Sequence, residues 1–135
     1  MGTMISLPSL LKKKTLFYQS VFLIDEEGSD LIDGGDYLCV TYRGNYEQSA
    51  YWGQQLAQYA HAHKFKIRGD LLEILWIDIH TTSDESEYIT QLQLPLHKIH
   101  FSFLHALFLY SSSVTSSHHS FEVSSPDTSI AKSIL

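Results

Sequence analysis

One glutamate interrupts an apolar run near the middle of the chain, Leu71-Leu72-Glu73-Ile74-Leu75-Trp76-Ile77. Alternate side chains of a strand share a face, so Glu73 points the same way as the apolar residues Leu71, Leu75 and Ile77. A carboxylate on an apolar face is costly unless it is neutralised, paired or reserved for a ligand. No lysine or arginine lies on this strand. A lipophilic organic cation would supply both the missing charge and apolar surface.

A structural role for Glu73 is the competing interpretation. The carboxylate could lie at a sheet edge or accept hydrogen bonds from nearby hydroxyls, and the strand taken alone favours this role. Trp76 points to the other face of the strand, so we expect it to face the main helix and pack against Trp52 or Leu56. On this prediction, Glu73 lies on the sheet face that the helix leaves open.

The elements around this strand follow from periodicity and turn residues. They occur in the order strand, strand, helix, strand, strand, at residues 15–24, 36–43, 46–63, 71–79 and 87–94. The sequence therefore predicts an α+β fold, an antiparallel sheet of about four strands with one main helix packed on one face.

Composition sets the domain boundaries that we predict. A chain of 135 residues with 44% apolar content can form one domain. We expect residues 1–14 to be a flexible segment, residues 15–96 to be the folded domain, and residues 97–135 to be a serine-rich tail that is disordered or loosely docked.

Charge and motif content exclude several classes of function. The net charge of −6 argues against direct nucleic-acid contact, and the apolar run 101–110 is too short to span a membrane. The single cysteine, Cys39, fits a reducing, cytoplasmic setting. We find no phosphate loop, nucleophile motif or metal-ligand spacing, so we expect no catalytic residue, no metal and no cofactor.

Three motifs follow one another at a spacing that resembles a known family. They are Asp36-Tyr37-Leu38-Cys39-Val40-Thr41-Tyr42-Arg43-Gly44-Asn45-Tyr46, Gly69-Asp70-Leu71-Leu72-Glu73, and Glu87-Tyr88-Ile89-Thr90-Gln91-Leu92-Gln93-Leu94-Pro95. In this combination the chain resembles the GyrI-like effector-binding domain, which occurs at the C-terminus of MerR-family multidrug-responsive transcription regulators and also as a stand-alone protein. The resemblance covers residues 15–96, mainly the second half of that domain.

The resemblance implies a fold of two strand-helix-strand-strand units, related by a pseudo-twofold, with the ligand held between them. The second unit would be complete at residues 36–96, while only the last strand of the first unit, residues 15–24, would be present. Its opening strand, its helix and one hairpin strand would be missing, as would the DNA-binding head of the full regulators. Half a domain leaves a sheet edge and an apolar face open, so we expect a homodimer.

The resemblance also assigns candidate ligand-binding residues. Glu73 matches the acidic residue that faces a cationic ligand, Tyr88 and Tyr18 match aromatic walls, and Tyr51 is a looser match. Tyrosines suit such walls because they offer a rigid ring to a cation and a hydroxyl to a carboxylate. The alternative for each tyrosine is a structural role, in which the ring only packs in the core or at its half-exposed edge.

These residues imply a sensing module for lipophilic, cationic, drug-like molecules in a bacterial transcription regulator, without a DNA-binding head of its own and without enzymatic activity. Two alternatives stay open. The chain could be a stand-alone GyrI-like protein that binds a protein partner such as gyrase, or it could hydrolyse an electrophilic small molecule with Glu73 and Tyr88 as an acid–base pair.

Overall fold

A computed structural model describes residues 1–12 and 16–98, together with the backbones of two later strands. The helices are α1 (Leu7–Leu11) and α2 (Gln48–Ala62), and a 3-10 turn covers Glu85–Glu87. The strands are β1 (Gly2–Ile5), β2 (Tyr18–Ile24), β3 (Asp30–Ile32), β4 (Tyr37–Arg43), β5 (Leu71–Ile77), β6 (Ile89–Pro95), β7 (Phe121–Ser124) and β8 (Ile130–Ile134).

The strands form one antiparallel sheet in the order β3-β8-β2-β1-β5-β6-β4-β7. The main helix α2 packs against β1, β5, β6 and β4 at the centre of the sheet, and the remaining strands extend the two edges. The predicted α+β class with one main helix on an antiparallel sheet is therefore confirmed. The predicted strands and the helix occur in the predicted order, with ends shifted by a few residues.

Two apolar clusters lie on opposite faces of the sheet. The cluster under α2 is made of buried side chains from both helices and four strands, chiefly Ile5, Leu10, Leu38, Val40, Leu56, Leu71, Leu92 and Leu94. The cluster on the far face is smaller and consists of Phe22, Tyr37, Cys39, Leu72 and Ile74. Strands β4 and β5 contribute alternate residues to both clusters, which explains their nearly continuous apolar sequences.

The predicted orientation of β5 is wrong. Leu71 and Glu73 face α2, whereas Trp76 lies on the other side of the sheet and is 61% exposed. Alternation within a strand separates two sets of side chains but does not say which set the helix covers. Pairing with β6 also shifts register between Leu75 and Ile77, so the strict alternation assumed from the sequence ends there.

The predicted flexible N-terminal segment is also wrong for residues 2–11. Strand β1 lies in the middle of the sheet, between β2 and β5, and the next residues form α1. The backbone amide of Leu7, at the start of α1, donates to Asp70 Oδ1 at 2.9 Å. A four-residue strand carries too little periodicity to be recognised, yet pairing on both edges satisfies its backbone groups.

This strand changes the comparison with a two-unit domain. A strand that the sequence analysis did not expect, β1, pairs with β2 as β5 pairs with β6. Strand β8 borders β2 as β4 borders β6, and the antiparallel pair β1 and β5 lies at the centre. The six strands β8-β2-β1-β5-β6-β4 therefore have the pairing order of a pseudo-twofold about the β1–β5 contact.

The predicted tail falls largely outside the described residues. Two of its segments, β7 and β8, add as strands to β4 on one side and to β2 and β3 on the other. Residues 99–120 and 125–129, which include the run 101–110, lie outside the part of the chain that the structure describes. The boundary at residue 96 stays a prediction.

Strand β1 provides the first test. A Cβ on Gly2 would lie 2.5 Å from Phe22 Cζ and 2.9 Å from the backbone oxygen of Glu73. Because the second neighbour is backbone and cannot rotate away, Gly2→Ala should lower the free energy of unfolding by about 1–3 kcal/mol. Urea denaturation of the two proteins measures this loss.

The matched control is Gly69→Ala, whose new Cβ would meet nothing closer than Pro95 Cγ at 3.7 Å. It should unfold at nearly the native urea concentration. Equal midpoints for Gly2→Ala and Gly69→Ala would contradict the central position of β1.

Candidate functional site

Glu73 is almost completely buried, at 3% exposure, and it is held by two hydroxyl groups. Thr3 Oγ1 donates to its Oε2 at 2.7 Å, and Ser49 Oγ donates to its Oε1. Thr3 lies directly opposite Glu73 in the β1–β5 pairing, and Ser49 lies in the first turn of α2. The carboxylate thus joins two strands and the main helix at one point.

A third hydroxyl extends this network. Tyr42 Oη, on β4, lies 2.5 Å from Ser49 Oγ. Because Ser49 gives its single proton to Glu73, the Tyr42 hydroxyl must be the donor to Ser49. The chain of donors runs from Tyr42 through Ser49 to Glu73, and both Tyr42 and Ser49 are buried.

The site contains a negative charge without a side-chain counter-charge. Within residues 1–12 and 16–98, the ion pair joins Arg68 Nη1 to Asp33 Oδ2 at 3.7 Å, and Glu73 takes no part in it. Hydrogen bonds from hydroxyls offset part of the cost of burying a carboxylate, but they bring no positive charge. This arrangement matches the competing interpretation, in which hydroxyls hold Glu73, and it leaves the charge available to a cation.

Besides burial, the Glu73 carboxylate contributes to the raised pKa values of Tyr18 and Tyr42. Burial raises the pKa of Tyr18 to about 12, and the Glu73 carboxylate and the Tyr42 hydroxyl add to the rise. Burial also raises the pKa of Tyr42, while its hydrogen bond with Ser49 opposes the change. Tyr18 is still 44% exposed, which makes it the least buried of these side chains.

A pair of stacked tyrosines adds a second aromatic wall. The rings of Tyr46 and Tyr88 lie 5.1 Å apart with an interplanar angle of 18°. Gly44 positions this pair, because its φ of 113° suits glycine and its amide donates to the Tyr88 carbonyl at 3.0 Å. Burial raises the pKa of Tyr46, and the charges of Asp78 and Glu73 contribute.

The structure therefore brings together three of the four predicted residues. Tyr18 interacts electrostatically with Glu73, and Tyr88 reaches the site through its stacking on Tyr46. Tyr51 is not part of this group. It is 57% exposed, and its ring meets Trp52 edge to face at 5.0 Å. Whether any of them binds a ligand stays a prediction.

The sequence analysis missed four residues of the site, namely Thr3, Tyr42, Ser49 and Tyr46. Tyr42 and Tyr46 belong to the first quoted motif, so their closeness to a buried strand was a usable signal. Ser49 carries a weaker signal, as a small polar residue four positions before Gly53 on the buried stripe of α2. Thr3 gave none, because β1 was not recognised.

The pairing of a serine with a carboxylate also raises the question of nucleophilic chemistry. Ser49 has no exposed surface, and its oxygen already accepts from Tyr42 while its proton goes to Glu73. A substrate cannot reach this oxygen without displacing part of α2. No group of three or more histidine, cysteine or acidic side chains in the described ranges could hold a metal ion.

The chain matches no protein-family profile, no curated protein and no solved structure. None of the helices in the described ranges has the length and apolar content needed to cross a bilayer.

Tyr18 provides the second test. Its pKa in the folded protein is about 12, against an ordinary value of about 10. Between these two pH values the unfolded chain releases a proton that the folded chain keeps, so this contribution to stability is lost as pH rises. We expect urea midpoints to fall less steeply in Tyr18→Phe than in the native protein over this window.

Tyr51→Phe is the control, since it removes a hydroxyl that lies outside the site, and it should follow the native protein. Identical pH profiles for the native protein and Tyr18→Phe would show that folding does not raise the pKa of Tyr18.

Proposed function

We propose that this chain is a binding module for lipophilic, cationic small molecules, with Glu73 as the anion of the site. The observation that carries the proposal is a buried carboxylate that has hydroxyl partners, has no side-chain cation beside it among the described residues, and lies near tyrosines. A charge in this setting gains more from a ligand cation than an exposed one does, because less water screens it. Aromatic rings bind the rest of such a ligand.

Tyr18 is the side chain through which a ligand would enter. It combines high exposure with an electrostatic link to Glu73, whereas the other members of the network are buried or stacked. Outward rotation of Tyr18 would expose the carboxylate and leave the sheet pairing intact. A cation could then lie between Glu73 and the ring, with the Tyr46–Tyr88 pair alongside.

The biological setting belongs to the same proposal. The similarity to GyrI-like domains supports a role as the effector-sensing part of a bacterial transcription regulator, in the cytoplasm. The buried Cys39 and the net charge of −6 are compatible with a cytoplasmic protein that does not contact nucleic acid itself.

The two alternative functions stay predictions with less support from the geometry. An acid–base pair would need Tyr88 close to Glu73, but in the described residues the Tyr88 ring stacks on Tyr46 and no hydrogen bond joins it to Glu73. Binding of a protein partner is compatible with the acidic surface, and no particular described contact favours it.

Glu73→Gln is the third test. The amide keeps the size of the side chain and can still pair with the hydroxyls of Thr3 and Ser49, so the fold should persist. Affinity for methyltriphenylphosphonium should fall by about 1–2 kcal/mol. Fluorescence or calorimetric titration of the purified chain measures the change.

Two controls make this test specific. Triphenylphosphine oxide has a similar shape without the charge, and its affinity should not depend on Glu73. Glu85→Gln removes the same charge from an exposed turn and should bind the cation as the native protein does. Equal cation affinity in Glu73→Gln and Glu85→Gln would remove Glu73 from the mechanism.

The expected homodimer remains a proposal. Its interface would lie on a different surface from the apolar sheet face that the sequence analysis expected. Leu71 and Glu73 lie under α2 and cannot form the interface, whereas Phe17, Trp76 and Ile79 are exposed. Exposed apolar side chains favour self-association. Light scattering at micromolar concentration should give twice the mass of one chain, and a mass near 15.4 kDa would contradict the dimer.

A further inference from the structure

A cavity of about 330 Å³ lies on the sheet face opposite α2. Its apolar walls come from Met4, Leu72 and Pro95, and its polar groups come from Asp33, Arg68 and Asp70. Leu72 belongs to the far-face cluster, so the sheet separates this cavity from Glu73. A volume of this size lies at the lower end of the range for small-molecule sites.

Arg68 is fixed at this cavity by three neighbours. Its Nε donates to the Leu96 carbonyl at 3.3 Å, and its guanidinium carbon lies 5.4 Å from the centre of the Tyr37 ring. Its Nη1 lies 3.7 Å from Asp33 Oδ2, a long contact to a carboxylate that is 84% exposed. These contacts hold the guanidinium plane while satisfying few of its donors.

The Nη2 atom of Arg68 is the unusual feature. It is buried, and it has no hydrogen-bond partner in the part of the chain that the structure describes. A buried donor without a partner costs free energy, and for a charged group the cost is larger. Because Nη2 itself is buried, a ligand in the cavity would meet the guanidinium through Nη1, whose contact with Asp33 is long.

Two carboxylates at the same cavity restrict what that ligand can be. Asp70 holds the Leu7 amide through Oδ1, and Asp33 lies beside Arg68. With one positive and two negative groups, the lining repels a simple anion. An amine alone would suit the carboxylates and would leave the guanidinium of Arg68 without a close anionic partner.

We propose that this cavity binds a small apolar zwitterion, namely a free α-amino acid with an aliphatic or aromatic side chain. Its carboxylate accepts from Arg68, its ammonium group lies near Asp33 and Asp70, and its side chain packs against Met4 and Leu72. Each charge then meets an opposite one, and the apolar part leaves water. This site is independent of the function proposed for Glu73.

Ligand analogues on the full native chain test the charge requirement. L-leucine should bind with a dissociation constant of about 1 mM, as expected for so small a molecule. Two compounds of similar shape, 4-methylpentanoate without the ammonium group and 3-methylbutylamine without the carboxylate, should each bind about tenfold more weakly. Chemical-shift titration by NMR measures all three.

Two variants then locate the site. Arg68→Gln should weaken L-leucine about tenfold, because it removes the charge of the guanidinium. Gly69→Leu leaves Arg68 unchanged but fills the cavity, since a Cβ there is met only by Pro95 Cγ at 3.7 Å. It should abolish saturable binding. Arg43→Gln, which removes an exposed arginine at the end of β4, should bind as the native protein does.

The proposal is overturned if L-leucine shows no saturable binding to the native chain, or if 4-methylpentanoate binds as tightly as L-leucine. It is also overturned if a folded Arg68→Gln or Gly69→Leu binds with native affinity. The analogue series needs no variant, so it decides the question even where a substitution disturbs folding. Failure of this site leaves the cation site at Glu73 untouched.

Discussion

The hydrogen bonds of the Glu73 carboxylate connect parts of the fold that lie far apart in the sequence. Thr3 comes from the start of the chain, Ser49 from the main helix and Glu73 from the middle of the sheet. A buried carboxylate needs its donors, and loss of either hydroxyl would leave an oxygen without a partner in a region that excludes water. The position of β1 and the start of α2 therefore depend on the same two oxygens.

The negative charge also controls the chemistry of the tyrosines around it. Burial and the carboxylate together keep Tyr18, Tyr42 and Tyr46 protonated to higher pH than free tyrosine. A protonated tyrosine is a hydrogen-bond donor and keeps a neutral ring, and both properties suit a site for an organic cation. Burial and the Glu73 carboxylate thus oppose the formation of a further negative charge on these tyrosines.

The sequence predicted the features that local pattern encodes and missed those that packing decides. Alternation in β6, with Thr90, Leu92 and Leu94 buried between less buried residues, is visible without a structure, and it defined the fold class. The choice of face for Glu73 was wrong because alternation is symmetric between the two sides of a strand. The network partner Thr3 could not be found, since four residues of β1 carry no period and gain their place through pairing with β2 and β5.

Strand β1, like β4 and β5, contributes side chains to both faces of the sheet. Thr3 points toward α2 and holds Glu73, while Met4, the next residue, lines the cavity on the far face. The residue before them is Gly2, where the Phe22 ring and the Glu73 backbone leave no room for a side chain. A shift of β1 along its neighbours would therefore disturb the carboxylate and the cavity together. Successive side chains of this four-residue strand reach the two sites. Both sites therefore depend on the register of β1 with its neighbours β2 and β5.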